Sequence, residues 1–242
     1  MRPILSEPDG RPRRHSLRRI VPRALRLAVR VAVALLLLCL AAVLLYRWVG
    51  PPVTPLMLLR LPEEGRIDRQ PMPLDAIARE LQRAVIASED NRFCQHHGVD
   101  WNAVSDAMSE YEVEGRLRGA STITMQTARN LFLWPGGGFF RKGIEVALAY
   151  VIDALWPKRR IMEVYLNVIE WGDGIYGAEA AARAYFHKSA ARLSRHEAAL
   201  MVAVLPNPRR WSPEHPTPYI AERAAIIGGR LDKLEGYFGC LR

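Results

Sequence analysis

The longest apolar run in the chain predicts a helix that crosses a membrane. Every residue from Val31 to Tyr46 is apolar or small. With its flanking residues the run reaches about twenty residues, which is enough to cross a bilayer. Tyr46 and Trp48 at its end suit the membrane interface, where aromatic side chains are enriched. We predict a single transmembrane helix over residues 27–49.

Beyond this run, apolar positions recur with the period of a helix, and the alternation typical of strands is scarce. We therefore predict a mainly α-helical domain over residues 71–242. The predicted helices run from Leu74 to Ser88, from Trp101 to Tyr111, from Ser121 to Leu133, from Arg141 onward with Ile144, Leu148, Val151 and Leu155 on the buried face, from a Ser194 capping box to Leu205, and from Tyr219 to Leu234.

The segment between the membrane helix and this domain, residues 50–70, is rich in proline and shows no sustained period. Prolines hold a chain extended and interrupt regular structure. We predict a semi-rigid stalk here.

The formal net charge is +9, and nine arginines lie in the first thirty residues. A basic arm of this kind, residues 1–26, can bind nucleic acid, but the apolar run that follows it favours a membrane protein with no nucleic-acid partner. Positive charge before a span stays on the cytoplasmic side. The arm is therefore expected in the cytoplasm and the folded domain outside it.

A cleaved signal peptide is the alternative to an uncleaved membrane anchor. The long arginine-rich stretch before the apolar run and the lack of an Ala-x-Ala-like cleavage site before Arg47 favour the anchor.

The three cysteines do not form a disulfide framework, because Cys39 lies in the apolar run. The spacing leaves a disulfide between Cys94 and Cys240 open. No metal-ligand spacing is present, since His96 and His97 are adjacent and cannot face one ion from one side of a helix.

Two adjacent carboxylates, Glu89 and Asp90, stand where the predicted helix ends. A helix C-terminus carries partial negative charge, so acids there cost stability. A solvated helix end is the ordinary explanation, and a catalytic pair is the other. Phe93, His96 and Gly98 follow at short spacing.

Two further groups of polar side chains lie at predicted helix starts. Ser121 is a good N-cap, and Thr122 and Thr124 add hydroxyls to the first turn. Amides exposed at such a start can also bind a phosphate oxygen. Arg141 and Lys142 oppose the dipole of the next helix, so stability alone does not explain them.

These residues resemble the motifs of the glycosyltransferases that polymerise peptidoglycan. Residues 89–98 match E-D-x-x-F-x-x-H-x-G, residues 141–145 match R-K-x-x-E, and residues 158–167 resemble K-x-x-I-L-E-x-Y-L-N. Residues 119–126 match G-x-S-T-I-T-Q-Q except that Met125 replaces the first glutamine. The chain is identified as a member of the monofunctional biosynthetic peptidoglycan transglycosylases.

The resemblance implies a lysozyme-like α-helical fold and a membrane-bound substrate, lipid II, whose disaccharide-pentapeptide is carried on undecaprenyl diphosphate. The 4-hydroxyl of an acceptor sugar attacks the anomeric carbon with inversion, and the diphosphate leaves. The glycosyltransferase domain then lies in the periplasm, anchored in the bacterial inner membrane. The partners expected are lipid II, the growing glycan strand and, as an open alternative, cell-division or cell-wall synthesis proteins.

The resemblance also implies the roles of individual residues. Glu89 is expected to be the general base, and Glu145 to orient the neighbouring bases or hold Mg²⁺ or Mn²⁺, with no cofactor required. Residues expected to bind substrate are Asp90, Phe93, His96, Ser121, Thr122, Thr124, Gln126, Arg129, Arg141 and Lys142. The residues of the block at 158–167 are expected to brace the site.

Two departures keep other functions open. Met125 removes an amide, and Gly136 to Gly138 fill a loop where relatives often place an arginine. A non-catalytic scaffold of the cell-wall machinery is one alternative. A glycan hydrolase of the same fold is another, although a hydrolase has no need of cations for a diphosphate leaving group.

Overall fold

The computed structural model describes residues 17–114 and 119–241. The contacts divide the chain into two units, residues 1–44 and 45–242. In the first, helix α1 (Leu17–Tyr46) contains a stretch of 24 residues, Arg23–Tyr46, that is long and apolar enough to cross a membrane. This agrees with the predicted span, although the helix ends three residues before the expected boundary. Of the basic arm, residues 1–16 lie outside the described residues.

The second unit is mainly helical, as predicted, with one small sheet. Its helices are α2 (Pro55–Glu64), α3 (Arg79–Glu89), α4 (Trp101–Glu114), α5 (Ile123–Phe132), α6 (Gly138–Leu155), α7 (Lys158–Val168), α8 (Ala178–Phe186), α9 (Arg195–Val204) and α10 (Pro218–Lys233). Its strands are β1 (Asp68–Arg69), β2 (Glu170–Gly172) and β3 (Ile175–Tyr176), and short 3₁₀ turns lie at Leu74–Ala76, Ala190–Arg192 and Glu235–Leu241.

The prediction of a stalk at residues 50–70 is wrong, because this segment contains α2 and β1. Thr54 caps α2 by accepting a hydrogen bond from the amide of Met57, and Pro55 occupies the first helical position, where a missing amide hydrogen costs nothing. Strand β1 pairs in parallel with β3. The prolines therefore start a helix of the folded unit.

Two predicted helix starts are also shifted. Residues Leu74–Ala76 form a 3₁₀ turn, and α3 begins only at Arg79, after Ala78 donates to the carbonyl of Ala190. Helix α5 is capped by Thr122 and not by Ser121, since the Thr122 hydroxyl accepts from the amide of Met125. Local propensity predicted both helices, and long-range contacts decided where they begin.

The buried face of α6 differs from the predicted apolar stripe. The buried residues are Glu145, Ala149 and Ile152, whereas Val151 is exposed. The inner face of this helix is therefore shifted by one residue from the predicted apolar face, and it carries a carboxylate. Burying a charge is costly unless it is paired, so this placement points to a specific ionic environment.

The core surrounds α9, whose residues from Ala198 to Val204 are all buried. The predicted Ser194 capping box is present at its start. Helices α3 and α10 pack on α9, and α5 packs between α6 and α7. The C-terminus of α3 and the N-terminus of α5 thereby reach the same side of the core, which is where the motif residues lie.

A disulfide joins Cys94, in the loop after α3, to Cys240, in the last 3₁₀ turn. It links residues 146 positions apart. A cross-link that closes so long a loop restricts the unfolded chain and stabilises the fold by about 2–4 kcal/mol. This disulfide, which the cysteine spacing alone did not decide, therefore joins the last 3₁₀ turn to the motif loop.

The edge of the sheet holds two neighbouring carboxylates, Glu64 and Glu170. The Tyr176 hydroxyl donates to Glu64 at 2.9 Å, and Arg60 lies 3.3 Å from Glu170. The pKa of Glu170 is raised from 4.5 to about 7, mainly by burial and also by the charge of Glu64, against the opposing effect of Arg60. The folded protein therefore binds this proton more tightly than the unfolded chain.

We expect the free energy of unfolding to fall by up to about 3 kcal/mol as the pH rises from 4.5 to about 7. The stabilisation is complete below the ordinary pKa of Glu170 and lost once the folded protein releases the proton. Chemical unfolding across this pH range measures it. The variant Glu170→Gln cannot titrate, and parallel pH curves for it and the wild type would contradict the assignment.

Candidate active site

Glu89 is the last residue of α3 and lies half-buried in a cleft. One carboxylate oxygen accepts from the Ser88 hydroxyl at 3.1 Å, and the other from the side-chain amide of Gln126 at 3.0 Å. Each oxygen keeps a further lone pair, and the cleft gives it access to solvent. The carboxylate is therefore held in place and can still accept a proton from a bound molecule.

Asp90, the next residue, is fully engaged with the protein. Its side chain is 1% exposed, its two oxygens lie 2.9 Å from Nε2 of His96, and Oδ2 accepts from the amide of Ile123 at 3.0 Å. Phe93 is buried and meets His96 edge to face. These three side chains brace the loop, and Asp90 also lines the cleft, so substrate binding by Asp90, Phe93 and His96 stays a prediction.

The start of α5 is likewise occupied from within. The amide of Ile123 bonds Asp90, and the amide of Met125 bonds Thr122, whose hydroxyl donates to the carbonyl of Gly98 at 2.6 Å. Thr122 and Thr124 are buried. The carboxylate of Asp90 already faces the positive end of the helix dipole, whereas Thr122 lines the cleft and the buried Thr124 hydroxyl has no hydrogen-bond partner in the described part of the chain; phosphate binding by the two threonines stays a prediction.

Gly98 fits the motif for a steric reason. Its φ is +81°, and a Cβ at this position would lie 2.7 Å from the carbonyl oxygen of Ala149 on α6. Only glycine combines this backbone conformation with so close an approach. The motif loop can therefore rest directly on α6.

The second predicted carboxylate, Glu145, is wholly buried in α6 between two cations. Arg141 Nη1 and Lys142 Nζ each lie 2.7 Å from one of its oxygens. Lys142 also donates to the Ser121 hydroxyl at 2.7 Å. The group carries one net positive charge, and Ser121 itself lines the cleft beside Glu89.

The surroundings of Glu145 disfavour a divalent ion. Each of its oxygens already accepts from a cation, and a metal would add more positive charge next to Arg141 and Lys142. The contacts support a role for Glu145 in orienting the bases, and the alternative of Mg²⁺ or Mn²⁺ binding stays a prediction. Elsewhere, Glu64, Glu170 and Asp173 lie within 4.8 Å of one another, but Arg60 and Arg209 already pair with them.

The remaining predicted residues, Gln126 and Arg129, line the cleft on α5. Sequence analysis missed the opposite wall, which α10 forms with Arg223 and Arg230. Arg223 donates to the Ser88 hydroxyl at 3.4 Å, and Arg230 approaches the carbonyl of Ala87 at 3.5 Å. Their spacing of seven residues, two helical turns, was the available signal.

Residues of the block at 158–167 brace the site, as expected. Glu163 accepts from the amide of Leu74, and the side chain of Asn167 bonds both the amide and the carbonyl of Met72. Tyr165 donates to Gln126. Helix α7 thus holds both the turn before α3 and the side chain next to Glu89.

The sequence model of the transglycosylase family matches residues 58–232. The chain belongs to this family. A protein of Rhodospirillum centenum called biosynthetic peptidoglycan transglycosylase is 56% identical over 225 residues, which cover 92% of this chain and 97% of the relative. Proteins of the same name from Caulobacter vibrioides (46% identical, 87% of this chain and 92% of the relative) and Pseudomonas fluorescens (47% identical, 91% and 92%) are similar throughout.

Membership in the transglycosylase family confirms the predicted family and enzyme class. It also confirms the lysozyme-like, mainly α-helical fold. The matched region begins at Leu58 within α2, so it includes half of the segment predicted to be a stalk.

The side chain of Met125, the departure from the transglycosylase motif, points into a buried apolar cluster with Val99, Val146 and Ala149. An amide there would lose its bonds to water and find apolar neighbours, at a cost of about 1–3 kcal/mol. We expect Met125→Gln to lower the melting temperature without raising the rate of polymerisation. Met125→Leu, which keeps the position apolar, is the control; a faster Met125→Gln enzyme would show that the missing amide matters.

Proposed function

We propose that this transglycosylase polymerises lipid II into glycan strands on the outer side of the bacterial inner membrane. The observation that carries the proposal is a half-buried carboxylate, Glu89, in a cleft next to two cations, Arg141 and Lys142, that the buried Glu145 holds in place. The names of the similar proteins support peptidoglycan as the product. A base and a set of cations are the two requirements for transferring a sugar from a diphosphate.

Glu89 acts as the general base in this proposal. It takes the proton from the 4-hydroxyl of the acceptor sugar as that oxygen forms a bond to the anomeric carbon of the donor strand. The hydrogen bonds from Ser88 and Gln126 hold the carboxylate in place and fix its direction. Attack from the face opposite the leaving group inverts the anomeric centre.

The bond from the anomeric carbon to the diphosphate breaks in the same step, and undecaprenyl diphosphate leaves with the electron pair. Lys142 and Arg129 are the cations best placed to meet this charge, because Lys142 lies beside Ser121 at the cleft and Arg129 lines it. Glu145 holds Lys142 and Arg141 in position before substrate arrives. Such preorganised charge stabilises the transition state without further rearrangement.

The cation group favours a transferase over a hydrolase. A hydrolase that cuts existing glycan releases an uncharged sugar and needs an acid for the leaving oxygen. Arg141 and Lys142 are held at fixed positions by a wholly buried carboxylate, at a cost in desolvation. An anionic leaving group accounts for that cost.

Two observations support the proposed location. Helix α1 is a candidate span and arginines precede it in the sequence, which supports a catalytic unit outside the cytoplasm. The Cys94–Cys240 disulfide is stable in an oxidising compartment such as the periplasm. We therefore propose a cytoplasmic arm, one span and a periplasmic catalytic domain that begins close to the membrane.

The variant Glu89→Gln tests the base. It keeps the shape and one accepting oxygen for Gln126, and the Ser88 hydroxyl can accept from the new amide nitrogen, but the basic oxygen is lost, so we expect strand synthesis to fall about a hundredfold or more. Its melting temperature should be no lower, because the helix dipole disfavours an acid at this end. The assay uses purified full-length protein and labelled lipid II in detergent, with the glycan products separated on a gel.

Glu222→Gln is the matched control, since Glu222 is an exposed carboxylate on the α10 wall of the same cleft. It should polymerise at the wild-type rate. If Glu89→Gln keeps more than about a tenth of the wild-type rate, Glu89 is not the base.

A reporter fused after Arg242 tests the orientation. We expect a fusion to alkaline phosphatase to be active, since that enzyme folds only where its disulfides form, and a fusion to a cytoplasmic reporter to be inactive. The reverse pattern would contradict the periplasmic location and access to the proposed substrate.

A further inference from the structure

A chain of two hydrogen bonds joins Tyr165, deep in the core, to Glu89 in the cleft. The Tyr165 hydroxyl donates to Oε1 of Gln126 at 3.1 Å, and Nε2 of Gln126 donates to Oε2 of Glu89 at 3.0 Å. The three residues come from α7, α5 and α3. The chain thus crosses three helices and ends on the carboxylate that carries the proposed function.

The orientation of the Gln126 amide decides what Glu89 experiences. An ionised carboxylate only accepts hydrogen bonds, and one end of a glutamine amide only donates. If the amide turned over, its oxygen would face Glu89 and repel it. The carboxylate of Glu89, which only accepts, selects the amide hydrogens on its side, and the Tyr165 hydroxyl adds a second hydrogen bond, to the amide oxygen, that holds the same orientation.

Tyr165 is suited to be a permanent donor. Its side chain is wholly buried, and burial raises the pKa of its hydroxyl well above the ordinary value, with a further increase from the charge of Glu89. The hydroxyl therefore keeps its proton at any pH at which the protein works. Since the ring is buried in the core, the hydroxyl also has little freedom to move away from Gln126.

We propose that Tyr165 is a positioning residue for the reaction, which acts through Gln126 to keep the Glu89 carboxylate aimed into the cleft. The inference rests on the proposed role of Glu89 as base. Tyr165 touches neither the substrate nor Glu89 directly. Its contribution differs from packing, because it depends on the hydroxyl and on the Gln126 amide together.

Tyr165→Phe keeps the ring and removes the hydroxyl. We expect kcat to fall about tenfold with KM for lipid II unchanged, which is the scale of one lost hydrogen bond of ordinary strength. The acid limb of the rate profile should move to higher pH, because a carboxylate that loses a donated hydrogen bond ionises less readily. A wild-type rate and profile would overturn the inference.

Tyr185→Phe is the matched control. The Tyr185 hydroxyl donates to the carbonyl of Trp171 at 3.0 Å, so this variant also loses an internal hydrogen bond, but one with no link to Glu89. It should keep the wild-type acid limb. If both variants shift the profile equally, the effect is one of general stability and the inference fails.

A double variant separates positioning from packing. Gln126→Met removes the amide at nearly constant length and should itself move the acid limb upward. In that background Tyr165→Phe should change kcat no further, since the hydroxyl then has no amide to orient. An equal fold-change in both backgrounds would show that Tyr165 acts independently of Gln126. If Tyr165→Phe melts too low to assay, an unshifted acid limb in Gln126→Met overturns the inference by itself.

Glu89→Gln, assayed alongside, distinguishes this inference from the function beneath it. If Glu89→Gln remains active, the base assignment fails and the positioning role fails with it. If Glu89→Gln is inactive while Tyr165→Phe matches the wild type in rate and pH profile, only the positioning role fails.

Discussion

The geometry of the site depends on the hydrogen bonds that the buried carboxylate of Asp90 makes. This carboxylate stands at the end of α3, accepts from the first amide of α5 and pairs with His96 in the loop between them. A charge with 1% exposure would be costly without these partners. Because all of them come from segments that meet only in the folded protein, satisfying Asp90 forces the end of α3 against the start of α5. Glu89 and Gln126 then come within hydrogen-bond distance.

The two adjacent acids therefore have opposite environments. Asp90 is enclosed and hydrogen-bonded by a histidine and by the first amide of α5, whereas Glu89 stays half-buried at the cleft with a donor on each oxygen. Glu145 repeats the enclosed pattern on α6, where two cations neutralise it. In each case the buried acid holds its partners in place, and the accessible groups, Glu89 and Lys142, are the ones left for chemistry. The buried acids thus stabilise the site, and the accessible side chains next to them are free for the reaction.

Much of this arrangement could be read from the chain. Helical period predicted the mainly α fold, and the residue patterns at 89–98 and 141–145 identified the family that the comparisons confirm. Individual roles were less accessible. Thr122 and Asp90 look as polar as Ser121 and Glu89 in a sequence, yet the first pair is buried and the second is only half-buried. Met125 reads as a lost hydrogen bond and is in fact part of an apolar cluster.

The sequence by itself determined the elements whose signals are local: the apolar span, the amphipathic helices, the Ser194 cap and the motif spacing. These depend on residues a few positions apart, within one turn or one run. Only the tertiary structure decided which polar groups are enclosed, because burial is set by what packs on a helix from elsewhere in the chain. Cys94 meets Cys240, Tyr165 reaches Gln126, and Glu145 turns inward instead of its apolar neighbours. Partners so distant in sequence leave no periodic trace, and they are found only when the helices are assembled.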